Sequence, residues 1–174
     1  MNAPDPNAGA AVGMAGPRWR WCRFDALSPH ELQNIYAARQ RVFALEQQCI
    51  YLDADGCDES AFHLAAWAEG EREPPAYARV LDPGVKYDEP SIGRVITASA
   101  VRGTGLGRAL VARAIAGMRA AWPGAAIRIS AQTRLERFYA AFGFVAVGAP
   151  YLEDGIDHIE MLLPVEAPMG RAPP

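Results

Sequence analysis

Cysteine and histidine are scarce in this 174-residue chain, three of each. Cys22, Cys49 and Cys57 are odd in number and far apart, with neither the C-x-x-C redox spacing nor zinc-ligand spacing. They read as free buried thiols in a reducing compartment. His30, His63 and His158 are scattered, so spacing assembles no metal site. Nowhere is there a run of the roughly 18 apolar residues that a membrane span requires. Residues 1–17, rich in Ala, Gly and Pro, lack the basic start and continuous apolar stretch of a signal peptide. The expectation is a cytoplasmic protein with no membrane partner. A strong positive charge is missing too: the net charge of −3 argues against nucleic acid as a partner. An anionic ligand would have to be held by local chemistry. No internal repeat is visible.

What the chain does have is an ordinary globular composition, 51% hydrophobic and 21% charged, enough for one domain with a real core. The expected folded unit is 18–164, between disordered tails at 1–17 and 165–174. Residues 19–24 read as an aromatic-rich strand. Ser28, Pro29 and Glu31 then give three concordant signals for a helix start: a cap, a proline at the first position and a capping box. Leu32, Ile35, Tyr36, Val42 and Phe43 carry that helix to about Glu46. Strands are expected at 63–68, 76–81 and 92–98. A helix follows from Leu106, with Leu110, Ala114 and Met118 as its apolar stripe, stopped by Pro123 and Gly124. Another strand at 127–131, a short helix at 134–142 and closing strands at 144–147 and 158–163 complete the order, the last two joined by a loop holding Asp154 and Gly155. The layout is mixed α/β, with helices covering a sheet that needs parallel and antiparallel pairs.

The most informative stretch joins strand 92–98 to the helix at Leu106: Arg102-Gly103-Thr104-Gly105-Leu106-Gly107-Arg108. Glycine lets backbone approach a ligand closely and tolerates positive φ. The first turn of a helix leaves N–H groups unpaired and carries partial positive charge. Gly103, Gly105 and Gly107 at a helix mouth, flanked by Arg102 and Arg108, therefore suit a pyrophosphate. A ligand-free tight turn is the bland alternative. A P-loop is excluded, because Arg108 and Ala109 follow Gly107 where Lys and Ser or Thr are needed. The G-x-G-x-x-G dinucleotide fingerprint also fails, at Arg108 from Gly103 and at Leu110 from Gly105.

Arg102-x-x-Gly105-x-Gly107 after a strand resembles motif A of the GCN5-related N-acetyltransferase (GNAT) family. About thirty residues on, Gln132, Phe138-Tyr139 and Gly143-Phe144 resemble that family's second signature. The segments 42–49, 76–81, 92–96 and 153–159 look closer still to the ElaA-like subgroup, and the resemblance covers nearly all of 19–163. It implies a mixed central β-sheet with splayed middle strands, flanked by helices on both faces. It also implies acetyl-CoA as co-substrate and a small-molecule or peptide amine as acceptor, in a monomer or homodimer. The pantetheine arm would pair with backbone at Val95, Ile96 and Thr97. Backbone N–H groups of Gly103, Thr104, Gly105, Leu106, Gly107 and Arg108 would hold the pyrophosphate. Gln132 would contact the pantetheine or its surroundings. On spacing alone Tyr139 belongs to a core stripe with Leu135, Phe138 and Phe142. The resemblance makes it the general acid that protonates the departing sulfur.

The chain departs from the family where many relatives keep a strand-borne glutamate as base: 92–98 and 127–131 hold no carboxylate. Ser99 also stands where a proline often precedes motif A. Glu46, His63, Asp157, His158 or water could serve as base, although each of these residues reads more readily as structural. Asp53, Asp55, Asp58 and Glu59 read as a solvated acidic loop, with attraction of a cationic amine as the second possibility. The loop is no EF-hand, because Leu64 stands where the closing glutamate belongs. Direct acetyl transfer to a primary amine is the expected function. A non-catalytic acyl-CoA-binding module is the alternative that the missing base raises, and a nicotinamide-dependent dehydrogenase is weakened by the failed fingerprint.

Overall fold

Alternating apolar residues build one seven-stranded sheet: β1 (Arg18–Arg23), β2 (Phe62–Trp67), β3 (Ala76–Leu81), β4 (Ser91–Thr97), β5 (Ile127–Gln132), β6 (Val145–Glu153) and β7 (Ile156–Leu163). The computed structural model describes residues 16–165, so the tails expected at 1–17 and 165–174 lie almost wholly outside the described residues. The strand order is β1-β2-β3-β4-β5-β7-β6. Every neighbouring pair is antiparallel except β4 and β5. No helix among the described residues is long and apolar enough to cross a membrane.

Helices cover both faces. Helix α1 (Pro29–Gln40) begins at the capping box that its sequence announces. The Ser28 N–H donates to Glu31 Oε2 at 2.9 Å, and the Glu31 N–H donates to Ser28 Oγ at 3.2 Å. Its Ile35 and Ala38, with Val42 beyond it, pack on Ala65, Tyr77 and Ile96. On the other face, α2 (Leu106–Ala121) lays Leu110, Val111, Ala114, Ile115 and Met118 on Leu64, Ala66, Ala78, Val80 and Ile129. Burial of such side chains stabilises the fold by about 1.5–3 kcal/mol each. Gly117 permits the close approach: a Cβ there would lie 2.8 Å from the Trp21 ring. Helix α3 (Glu136–Ala140) is shorter than expected, because the chain enters it through a 3-10 turn at Thr133–Leu135.

Two further differences concern backbone geometry. The helix expected to reach Glu46 is α-helical only to Gln40, then widens into a π-helical turn over Arg41–Glu46. Strand β6 is longer than the expected 144–147. It absorbs a register shift between Val147 and Tyr151, where Gly148 takes φ +84°, and runs on to Glu153. Asp154 (φ +51°) and Gly155 (φ +77°) then close a two-residue hairpin, both left-handed as a type I′ turn requires.

The centre of the sheet is where the site forms. Ile92 packs under α2 and Ile96 under α1, yet residues four apart on a regular strand share one face. Between them β4 carries a bulge: Tyr77 opposes Ile96 while Arg79 opposes Gly93, and Arg94 takes φ +51°. The extra residue exchanges the two faces of the strand. Past this point β4 and β5 part, since their parallel ladder holds only the Ser91–Arg128 register pair, beside the Arg128 N–H to Pro90 carbonyl bond of 3.1 Å.

Candidate active site

The parted strands open into a cavity of about 620 Å³, walled by β4, the turn ahead of α2, the segment around α3 and the π turn after α1. Val95 and Thr97 line it, whereas the Ile96 side chain lies in the core below α1. Gly103 and Gly105 take φ +80° and +93°, conformations that strain any residue with a Cβ. Gly107 is helical, and a Cβ there would lie 3.4 Å from the Thr97 methyl group.

Gly105 caps α2, and no side chain among the described residues accepts a hydrogen bond there. The Arg102 amide reaches the Ser99 carbonyl at 3.3 Å and the Thr104 amide the Val101 carbonyl at 3.4 Å. Among the described residues, no backbone carbonyl outside the helix accepts from the amides of Gly103, Gly105, Leu106, Gly107 or Arg108. Thr104 is thus partly engaged, its hydroxyl also donating to Val101 at 2.7 Å. Leu106 packs its side chain on the core and offers only backbone.

Charge agrees with this geometry. Arg102, Arg108 and Arg134 line the cavity against one carboxylate, Glu46, in a chain whose net charge is −3. Arg108 lies over the Phe142 ring at 5.3 Å. Sequence reading missed Arg134, Val42, Gln47 and Val101 as lining residues. The Gln132 side chain is not in the wall. It donates to Gln47 Oε1 at 3.1 Å and accepts from Arg134 Nε at 2.8 Å, holding two residues that are.

Tyr139 is a core residue that also borders the cavity. Its ring stands edge-on to Phe138 and Phe144, at 5.0 and 5.9 Å, and is only 6% exposed, yet it borders the cavity. Burial pushes its phenol up to about 12, so the proton stays on oxygen throughout the neutral range.

The base candidates separate clearly. His63 is fully buried with both ring nitrogens engaged, by the Tyr77 hydroxyl at 2.8 Å and the Asp58 carbonyl at 3.0 Å. His158 engages the Ile156 carbonyl at 2.8 Å, and Asp157 is exposed; neither lines the cavity. Glu46 does, and its Oε2 accepts from Arg102 Nη2.

The acidic loop is only partly the solvated loop expected: Glu59 is exposed, but Asp53, Asp55 and Asp58 pair with arginines, of which Arg39 and Arg79 are buried. Arg39, fully buried, donates to Asp53 Oδ2 at 2.8 Å and Asp58 Oδ1 at 2.7 Å. Arg79 forks onto Asp55 at 2.6 and 2.7 Å, and Arg94 donates to Asp53 Oδ1 at 2.7 Å. For Asp58, burial alone would raise the carboxyl; the bond and charge of Arg39, with the charge of Arg79, outweigh it and hold it low. By gripping Arg94, the loop steadies the strained residue of the β4 bulge.

A family model described as an acetyltransferase (GNAT) domain matches residues 33–164. The chain belongs to the GNAT acetyltransferase family. Among its GNAT relatives, Protein ElaA of Escherichia coli K12 is 36% identical over 145 residues, covering 82% of this chain and 94% of that protein. The UPF0039 protein sll0451 of Synechocystis sp. is 45% identical over 147 residues, covering 84% and 95%. The crystal structure of E. coli ElaA aligns with a TM-score of 0.79 at 34% identity, covering 84% of this chain and 98% of that one. An acyl-CoA N-acyltransferase from Pseudomonas aeruginosa aligns equally well, TM-score 0.79 at 38% identity with the same coverage. The open mixed sheet with helices on both faces is the GNAT fold, and the chain is an ElaA-like GNAT protein.

Proposed function

We propose that this GNAT protein transfers the acetyl group of acetyl-CoA to a primary amine by direct attack. One observation carries the reading: the unpaired amides at the mouth of α2 open on the same cavity as the buried phenol of Tyr139. Amides of Gly103 and of Gly105 to Arg108 suit the diphosphate, and Arg102, Arg108 and Arg134 supply its counter-charge. The parted edge of β4 at Val95 and Thr97 suits the amides of the pantetheine arm.

In this reading the amine nitrogen bonds to the thioester carbon as the carbon–sulfur bond breaks, and Tyr139 gives its proton to the sulfur. General acid help of this kind contributes about 10²–10⁴-fold in rate. Release of CoA thiol over a panel of primary amines tests it. Wild type should release thiol with at least one amine, and Tyr139→Phe should lose about 10²–10⁴ in kcat while keeping its affinity for CoA. No amine-dependent release would favour instead a non-catalytic acyl-CoA-binding module, a reading supported by Arg102 occupying the one carboxylate of the cavity among the described residues.

A further inference from the structure

Glu46 reaches the cavity because the chain widens from α1 into the π turn Arg41–Glu46, which brings Glu46 to the wall shared with Tyr139. It does not stand free there. Arg102 Nη2 donates to Glu46 Oε2, and the same guanidinium donates from Nε and Nη2 to the Thr97 carbonyl at 3.2 and 3.0 Å. One arginine thus occupies both the lone carboxylate and the last carbonyl of β4.

The pair is easily exchanged. The Arg102 and Glu46 side chains are 47% and 29% exposed, and an ion pair in that setting is worth about 0–1 kcal/mol. Arg102 also directly precedes the unpaired amides of Gly103 and of Gly105 to Arg108. A diphosphate seated on those amides offers the guanidinium two charged acceptors in fork geometry, a stronger partner than one carboxylate oxygen.

We propose that Arg102 is a two-position latch on Glu46. In the free protein it covers the carboxylate; when the diphosphate of acyl-CoA draws it away, Glu46 becomes the general base for the acceptor. This rests on the acyl-transfer reading above and completes its proton balance. The ammonium of the acceptor sheds one proton to Glu46, which passes it to water. A second leaves as the carbon–nitrogen bond forms and returns through water to Tyr139, replacing the proton given to sulfur. The base is exposed only when the cofactor's diphosphate is seated, and the Thr97 carbonyl is freed for the pantetheine arm by the same movement.

Calorimetry with CoA and with S-acetyl-pantetheine, which has no diphosphate, tests the latch. Glu46→Gln should tighten CoA by about two- to fivefold and leave S-acetyl-pantetheine unchanged. The gain should vanish when Arg102→Met is also present. A gain that persists beside Arg102→Met is simple charge repulsion and overturns the latch. The base role is read from the pH dependence of kcat/KM with an amine that wild type acetylates. Glu46→Gln should lose about 10²-fold near neutrality and recover toward alkaline pH, where the amine is already neutral. A uniform loss at every pH, or none, overturns that role. If acyl transfer itself is wrong, wild type gives no amine-dependent thiol release, whether or not it binds CoA; if only the latch is wrong, wild type does both.

Discussion

Two charged regions of the molecule are built on opposite principles. Beneath the 53–58 loop, Arg39, Arg79 and Arg94 meet Asp53, Asp55 and Asp58 in a nearly closed network, with Arg79 Nε the one buried atom of these six side chains left without a partner. At the mouth of α2, five backbone amides without a backbone acceptor and three arginines gather at a cavity lined, among the described residues, by a single carboxylate. Satisfied charge holds the fold, and unsatisfied donors are what the proposed diphosphate would engage. The comparison shows why an abundance of charged residues is a poor guide to a site, whereas a surplus of donors is a good one.

Breaking the closed region should have the larger effect. Asp58→Ala leaves the buried guanidiniums of Arg39 and Arg79 short of a carboxylate, and should cost about 3–5 kcal/mol in urea unfolding. The fraction that stays folded should bind CoA as wild type does. Gly105→Val does the reverse. Holding valine at φ +93° costs about 1–3 kcal/mol of stability, but CoA affinity should fall more than about tenfold, because the amide row is displaced. Calorimetry and unfolding on both variants would sharpen the contrast, and a Gly105→Val protein with wild-type affinity would erase it.

Acid gives the smallest and most graded effect. Burial alone would raise Asp55, yet the fork from Arg79, the Cys57 amide and the neighbouring charges outweigh it, and Asp58 is held low likewise. Burial lowers His63. All three bind fewer protons folded than unfolded, so they stabilise above the unfolded values and lose that contribution as pH falls. The urea midpoint should therefore begin to drop below about pH 6.5 through His63 and steepen below about pH 4 through the aspartates. A midpoint unchanged from pH 7 to pH 3 would contradict the closed network.

The two regions also differed in how far they could be read from sequence. The glycine loop was legible because its causes are local: three glycines, two arginines and an amphipathic helix within a few turns. The capping box at Ser28 and Glu31 was legible for the same reason. The 53–58 loop was misread because its partners come from far along the chain, Arg79 lying 24 residues from Asp55 and Arg94 lying 41 from Asp53. Nothing local marks Arg94 as the bulge residue that exchanges the faces of β4. Glu46, His63, Asp157, His158 and water all stood open as the base, and only tertiary structure engaged His63, exposed Asp157, turned His158 onto the Ile156 carbonyl and set Glu46 in the cavity wall. Tyr139 lay between the extremes, since its spacing gave the core, the family resemblance implied the site, and the fold brings it to the cavity wall.

The central claim is that main-chain N–H groups at the start of α2 grip a diphosphate. An amide nitrogen–proton correlation spectrum recorded during titration with CoA tests it residue by residue. The account predicts that the resonances of Gly103 and of Gly105 to Arg108 move most, and saturate together, while those of the 53–58 loop stay in place. Saturable binding that leaves those five amides unmoved would contradict it.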